Sequence, residues 1–252
     1  MKKWLNIENN ILPCLFTALL VLIWEVIVRA YAVPQYLLPA PSSIVYELYE
    51  SGHILWFHTG TTLIEAMTGF FIAVILGLSA ACLMNRFKLI KNTIYPVLVI
   101  SQTVPIIALA PLFMIWMGYG ILPKIAIVIL VCFFPITVSV AEGLAALDKD
   151  LINLLRTMKA TWWQIFTKAE LPAVMPAFFS GLKIAATYSI MGAVIGEWIG
   201  AKSGLGIYMT RSMNSFRTSA LFAAVLIIVV LSMVLFKGIQ LLGEKIMPWN
   251  KG

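Results

Sequence analysis

Six apolar stretches recur along this chain of 252 residues, near Ile11 to Val33, Thr59 to Met84, Ile94 to Met117, Leu122 to Val140, Val174 to Gly200 and Thr218 to Leu242. Each approaches or exceeds the ~20 residues that a helix needs to cross ~30 Å of hydrocarbon. The chain is therefore predicted to be all-α and polytopic, with six transmembrane helices. Periodicity inside the stretches is weak, as it is when one helix face meets lipid and the other meets neighbours that are nearly as apolar. Composition agrees, because 61% hydrophobic and 12% charged residues, with a mean hydropathy of +0.95, lie outside the range of soluble domains.

The first stretch has two readings. Lys2 and Lys3 precede an apolar run, and Ala30-Tyr31-Ala32 looks like a signal-peptide cleavage site. The run is too long for a signal peptide, however, and it carries Glu25 and Arg29 four residues apart on one helical face. That pair suits the end of a retained span reaching the interface.

A net charge of +7 and a pI near 9.4 do not indicate nucleic acid, because no basic run interleaved with aromatics exists and the cations stand at the ends of apolar stretches. They report orientation instead. With the N-terminus in the cytoplasm, that side receives Lys2, Lys3, Arg86, Lys88, Lys91, Lys149, Arg156, Lys159, Lys168, Lys237, Lys245 and Lys251. The opposite side receives only Lys124, Lys202, Arg211 and Arg217, and Arg29 and Lys183 fall inside spans. The positive-inside rule places both termini in the cytoplasm.

Several chemistries find no support in the residues. The glycines near Gly200, Gly204 and Gly206 lack the Lys-Ser/Thr pair of a phosphate-binding loop. Cys14, Cys82 and Cys132 each stand alone in an apolar stretch, and neither His53 nor His58 has a partner at metal spacing. Nothing resembles a Ser/His/Asp set or a carboxylate pair within one span. The chain is thus expected to be no enzyme, with no catalytic residue, metal or cofactor.

Between the fourth and fifth stretches lies the long polar interruption of the second half, DKDLINLLRTMKATWWQIFTKAELPAVMP from Asp148 to Pro176. It cannot sit in lipid and reads as two short helices around a break. Leu151, Leu154, Leu155 and Met158 recur at helical spacing, with Asp148 or Asp150 placed to cap the start. Thr161 offers a second cap before Trp162, Trp163, Ile165 and Phe166, and Pro172 and Pro176 close the element and open the next span. The alternatives are a docking element for another protein and an amphipathic helix lying in the headgroup layer.

Polar residues within spans are costly in hydrocarbon and turn toward protein or water. Ser101, Gln102, Thr103, Tyr188, Ser189 and Glu197 are the candidates for a solute path. Pro105 and Pro111 open the backbone near the first three, and such breaks are tolerated only where protein or a cavity surrounds them. Glu65 and Lys183 are better read as structural.

Four motifs together resemble the inner-membrane permease subunits of bacterial ATP-binding-cassette importers, in the branch serving sulfonates, taurine, nitrate and thiamine precursors. They are LLPAPSSIV at Leu37 to Val45, SQTVPIIALAPLFMIWMGYG at Ser101 to Gly120, RTMKATWWQIFTKAELPAVMP at Arg156 to Pro176, and GLKIAATYSIMGAVIGEWIGAKSGLG at Gly181 to Gly206. The resemblance covers nearly the whole chain. It implies the type I importer permease (MetI-like) fold in the bacterial inner membrane, with an N-terminal helix and periplasmic connection over 1–58 and a core over 59–252. It also implies that residues 148–172 hold a cytoplasmic coupling helix that fits a groove in an ATPase subunit, with Thr157, Lys159, Ala160, Thr161 and Trp162 in the coupling role. The family's Glu-Ala-Ala is replaced here by Asn153-Leu154-Leu155, and its glycine by Lys159. A left-handed Lys costs ~1 kcal/mol, so the expectation is a looser break or a first helix that continues.

The implied mechanism is alternating access by two permease copies, forming a homodimer within membrane lipid. Two ATPase subunits and an extracytoplasmic solute-binding protein would complete the machine. The spans offer an oxyanion only Lys183, against Glu65 and Glu197, which points to a neutral or weakly basic solute, and the sequence looks most like the branch linked to hydroxymethylpyrimidine. Sulfonate, taurine or nitrate is the alternative. A proton-coupled transporter would need paired broken helices in inverted repeats, which are not evident, and a membrane scaffold would need only the docking segment.

Overall fold

The computed structural model describes residues 2–250, with the side chains of 2–11, 14, 149 and 250 outside the description. Cys14 and the orientation-bearing Lys2, Lys3, Lys149 and Lys251 therefore lie, by side chain or entirely, outside the described residues. The described chain is all-helical. In order it forms α1 (Lys2–Ala30), α2 (Pro41–Glu50), α3 (Gly52–Arg86), α4 (Lys88–Ser101), α5 (Ile106–Met117) and α6 (Leu122–Ala145). There follow α7 (Lys149–Thr157), α8 (Trp162–Ile165), a π-turn (Phe166–Glu170), α9 (Leu171–Trp198), α10 (Leu205–Asn214) and α11 (Thr218–Ile246), closed by a 3-10 turn at Pro248–Asn250.

Among the described residues four helical paths are long and apolar enough to cross a membrane: α3, α6, the run Trp162–Trp198 and α11. The stretch expected as one crossing near Ile94 to Met117 is instead two helices, α4 and α5, bent by 104°. The cause is local: Pro105 caps α5 in extended backbone, and only short turn hydrogen bonds from Gln102, Thr103 and Val104 bridge the gap. Pro111, by contrast, lies within α5 without ending it.

The chain divides into two compact units, one of Met1–His58 with Tyr208–Ile227, the other of Thr59–Ile207 with Ile228–Gly252. In the first, Glu25 and Arg29 form the ion pair expected from their spacing, at 2.5 Å. Glu25 also accepts the Ser42 backbone N–H at 3.0 Å and the Ser42 hydroxyl at 2.8 Å. A carboxylate thus caps the first turn of α2 behind Pro41, which is what the LLPAPSSIV motif provides. Arg217 reaches Glu47 at 2.8 Å in the same unit.

In the second unit α3, α6 and α9 enclose the core. Ala66, Phe70 and Ala73 of α3 meet Val128, Cys132 and Ile136 of α6 and Leu182, Ala185, Ala186 and Ile190 of α9. Lipid supplies no hydrophobic drive between helices, so close backbone approach must hold them together. It does so at Gly181, where a Cβ would stand 2.7 Å from the Pro135 carbonyl, and at Gly192, where it would stand 2.8 Å from the Val131 side chain.

Candidate functional site

The segment from Asp148 to Pro172 forms the two helices and the break that its residues predict. Asp148 caps α7 by accepting the Asp150 N–H at 2.8 Å. At the other end Lys159 adopts φ +59°, so the break is kept and the first helix does not continue. Two hydrogen bonds explain why the chain accepts this: Lys159 N–H donates to Arg156 O at 2.9 Å and Ala160 N–H to Leu155 O at 3.0 Å. They form a Schellman closure, and its two satisfied carbonyls offset the ~1 kcal/mol cost of a left-handed side chain. Thr161 then caps α8 in a capping box, its N–H donating to Gln164 Oε1 at 2.8 Å and its hydroxyl accepting the Gln164 N–H at 3.3 Å.

Pro172 and Pro176 do not close this element, contrary to expectation. The helical path continues from Trp162 to Trp198. Leu171 N–H donates to Phe166 O, five residues back, and this widened π-turn stands immediately before Pro172. Pro172 lies at the start of α9, where the ring and the missing N–H are tolerated. Around the break, apolar side chains point outward: Leu154, Met158, Trp162 and Trp163 are exposed, Met158 by 71%. Trp162 stacks on Phe166 at 5.5 Å and 11°, which holds it in place despite its exposure.

Ser101, Gln102 and Thr103 fall together at the 104° bend between α4 and α5. The Ser101 hydroxyl donates to Leu98 O at 2.7 Å and the Thr103 hydroxyl to Ile100 O at 2.8 Å, so both close their own preceding turns. Gln102 is exposed. Tyr188 is also exposed, by 42%. Ser189 and Glu197 have no exposed surface in this conformation, and the Ser189 hydroxyl donates to Ala186 O at 2.8 Å. Lys183 sits with Nζ 5.9 Å from the Phe236 ring centroid, a cation over an aromatic face.

Glu197 belongs to a buried polar cluster that the sequence did not reveal. Its Oε1 accepts the Thr62 hydroxyl at 2.7 Å and its Oε2 the Gly206 N–H at 2.6 Å. Thr62 in turn accepts the Leu205 N–H at 2.8 Å. Beside them Lys124, placed by sequence on the outer surface, is buried in α6 and pairs with Glu65. The glycines of the KSGLG run fit this cluster: a Cβ on Gly204 would lie 2.1 Å from Glu197 Cδ, and one on Gly206 would lie 2.4 Å from the Val194 carbonyl. The signal available in sequence was two acids inside spans without an evident counter-ion.

Comparison with known proteins places this architecture. Residues 73–247 match the family described as binding-protein-dependent transport system inner membrane component. The formylaminopyrimidine transport permease protein ThiX of Halalkalibacterium halodurans is 38% identical over 240 residues, 95% of this chain and 96% of its own length. The riboflavin transport system permease protein RibX of Chloroflexus aurantiacus is 28% identical, covering 92% of this chain and 87% of its own. The taurine transport system permease protein TauC of Escherichia coli is 26% identical, covering 92% and 87%. Among solved structures, an inward-facing form of the MetNI methionine ABC transporter superimposes with a TM-score of 0.64 at 20% identity, over 80% of this chain and 96% of that one. A family match over more than half of the chain and a relative 38% identical over nearly all of it settle the assignment: the chain belongs to the binding-protein-dependent transport system inner membrane component family, the permeases of ABC importers.

Proposed function

We propose that this permease carries a small neutral heteroaromatic solute of the thiamine-pyrimidine class into the cell. It works as a homodimer with two copies of a separate ATPase, an extracytoplasmic solute-binding protein and the surrounding lipid. Six helices cross the inner membrane in this reading, α1 and the bent α4–α5 pair included, and both termini are cytoplasmic. Residues 1–58 form the N-terminal span and its periplasmic connection, and 59–252 form the transport core. ATP is hydrolysed in the partner, and this chain contributes the path and the element that is pushed.

The observation that carries the substrate class is the 38% identity to a formylaminopyrimidine permease over 95% of the chain. A second relative, named for riboflavin, also serves a nitrogen heterocycle. Electrostatics agrees, because Lys124 is neutralised by Glu65 and Lys183 lies over an aromatic ring, which leaves a sulfonate poorly served. The Gln102 amide at the bend presents both a donor and an acceptor, the pair that a pyrimidine edge requires. Ser101, Thr103 and Tyr188 flank the path with it, while Ser189 and Glu197 support its wall from within.

Residues 148–172 are the coupling segment, with Thr157, Lys159, Ala160, Thr161 and Trp162 seated in the ATPase groove. Exposed Met158 and Trp162 on a capped, rigid break are what such a groove would take up. The test is reconstitution in proteoliposomes with the cognate ATPase and binding protein. ATP-dependent uptake of labelled formylaminopyrimidine, outcompeting taurine, is expected; uptake driven by a proton gradient without ATP would refute the reading. Ala160→Glu is expected to release the ATPase in a pull-down while membrane insertion persists.

A further inference from the structure

A cavity of about 530 Å³ opens where α3 and α6 end, against the α7–α8 segment and the π-turn. Asn85 and Arg86 come from the last turn of α3, Arg156 from α7, Trp162 from α8, and Phe166 and Glu170 from the π-turn. Two guanidinium groups and one carboxylate therefore line one space. Yet the ion pairs Arg29–Glu25, Lys124–Glu65 and Arg217–Glu47 include neither arginine, and among the described residues neither Arg86 nor Arg156 is in salt-bridge contact with Glu170. Arginine cannot discard its proton. Opposite charges that share a cleft without touching are a template for a ligand bearing both signs.

The level of the cavity identifies the ligand. Both α3 and α6 are long and apolar enough to cross a membrane, and the cavity lies at the last turns of both, next to the polar 148–172 segment. Trp163, which the coupling assignment does not use, is 63% exposed, and indole is the side chain that prefers the headgroup layer. We propose that the cavity binds the headgroup of a phosphoethanolamine lipid, with its phosphate on Arg86 and Arg156 and its ammonium on Glu170. The fork of a guanidinium matches phosphate oxygens. A purely anionic headgroup would bring its charge against Glu170, and a choline headgroup has no N–H to donate to it. Ala160 also lines the cavity, so the occupant would brace the segment assigned above to coupling. The binding itself does not rest on that assignment.

The experiment uses the full chain, in nanodiscs of phosphatidylcholine doped with phosphatidylethanolamine or phosphatidylglycerol, released into native mass spectrometry. Wild type is expected to retain phosphatidylethanolamine about tenfold over phosphatidylcholine, and the Arg86→Gln/Arg156→Gln variant to lose that preference. Glu170→Gln preserves shape and is expected to turn the preference toward phosphatidylglycerol, a result that stands even if the double variant inserts poorly. Equal retention of the three lipids by wild type would overturn the proposal, as would a wild-type preference for phosphatidylglycerol. Unchanged lipid profiles in variants that stop co-purifying with the ATPase would also overturn it, and would assign these charges to a protein contact.

Discussion

Replacing Lys124 by Met should be among the most damaging single changes in the chain, because the lysine is buried beside two acids. Lys124 is 6% exposed, and the acids around it, Glu65 and Glu197, are 1% and 0% exposed. Glu197 keeps the Thr62 hydroxyl and the Gly206 N–H, but Glu65 loses its paired cation. Removing one partner of a buried ion pair costs ~3–5 kcal/mol, because a charge is left in a medium that cannot solvate it. For a chain of this size each kcal/mol moves the midpoint by ~2–4 °C, so a fall of ~6–20 °C is expected in thermal unfolding of the detergent-solubilised protein. The companion Lys124→Met/Glu65→Gln removes both charges and supplies an amide donor toward Glu197. It should recover most of the loss, since replacing a whole buried pair is often neutral. If the double variant melts no higher than the single one, the pair is not what fixes the site, and the loss belongs to the packing of the Lys124 stem on Gly196.

Substitutions at four further positions probe backbone and capping geometry. Gly204→Ala drives a Cβ into the Glu197 carboxyl at a backbone φ of +120° and should abolish recovery of folded protein from membranes. Gly238→Ala, which meets nothing within 4 Å, should raise the midpoint slightly, since Gly costs ~0.5–1 kcal/mol in a helix. Lys159→Gly relieves the left-handed strain and should slow hydrogen exchange at Ala160, whereas Lys159→Ile should speed it, a β-branched residue being least tolerant of positive φ. Thr161→Ala removes one half of the capping box and should cost ~1 kcal/mol, read as faster exchange at Gln164.

What could be read from the residues was what depends on near neighbours. The apolar stretches mark α3, α6 and α11 because length and composition suffice to define them. Both caps of the 148–165 segment were legible, since Asp148 and Thr161 bond to residues two and three positions on. Pro105 marked the break before α5, but a proline alone does not specify the 104° at which α4 and α5 meet. The Lys124–Glu65 pair was not legible, because its partners are 59 positions apart and a lysine beside a proline reads as a loop residue. Nor was the π-turn, because Pro172 alone signals an end, and only a widened turn before it lets the helix run on.

That continuity bears on how a push could travel. From Trp162 to Trp198 the helical path covers 37 residues, ~55 Å at ~1.5 Å per residue. The capped break with its exposed Met158 and Trp162 lies at one end and Glu197 at the other. Between them the pitch changes at the π-turn, and at Pro176 the ladder lacks one N–H while the helix runs on. Beyond the π-turn, close contacts at Gly181 and Gly192 tie α9 to α6, so the two helices should shift together. At the far end Glu197 grips Thr62 and the Gly206 backbone through bonds of 2.6–2.7 Å. If Thr161 receives the push, as proposed above, the displacement would meet the widened turn at Phe166–Glu170 first and then pass along packed helix to the Glu197 hydrogen bonds.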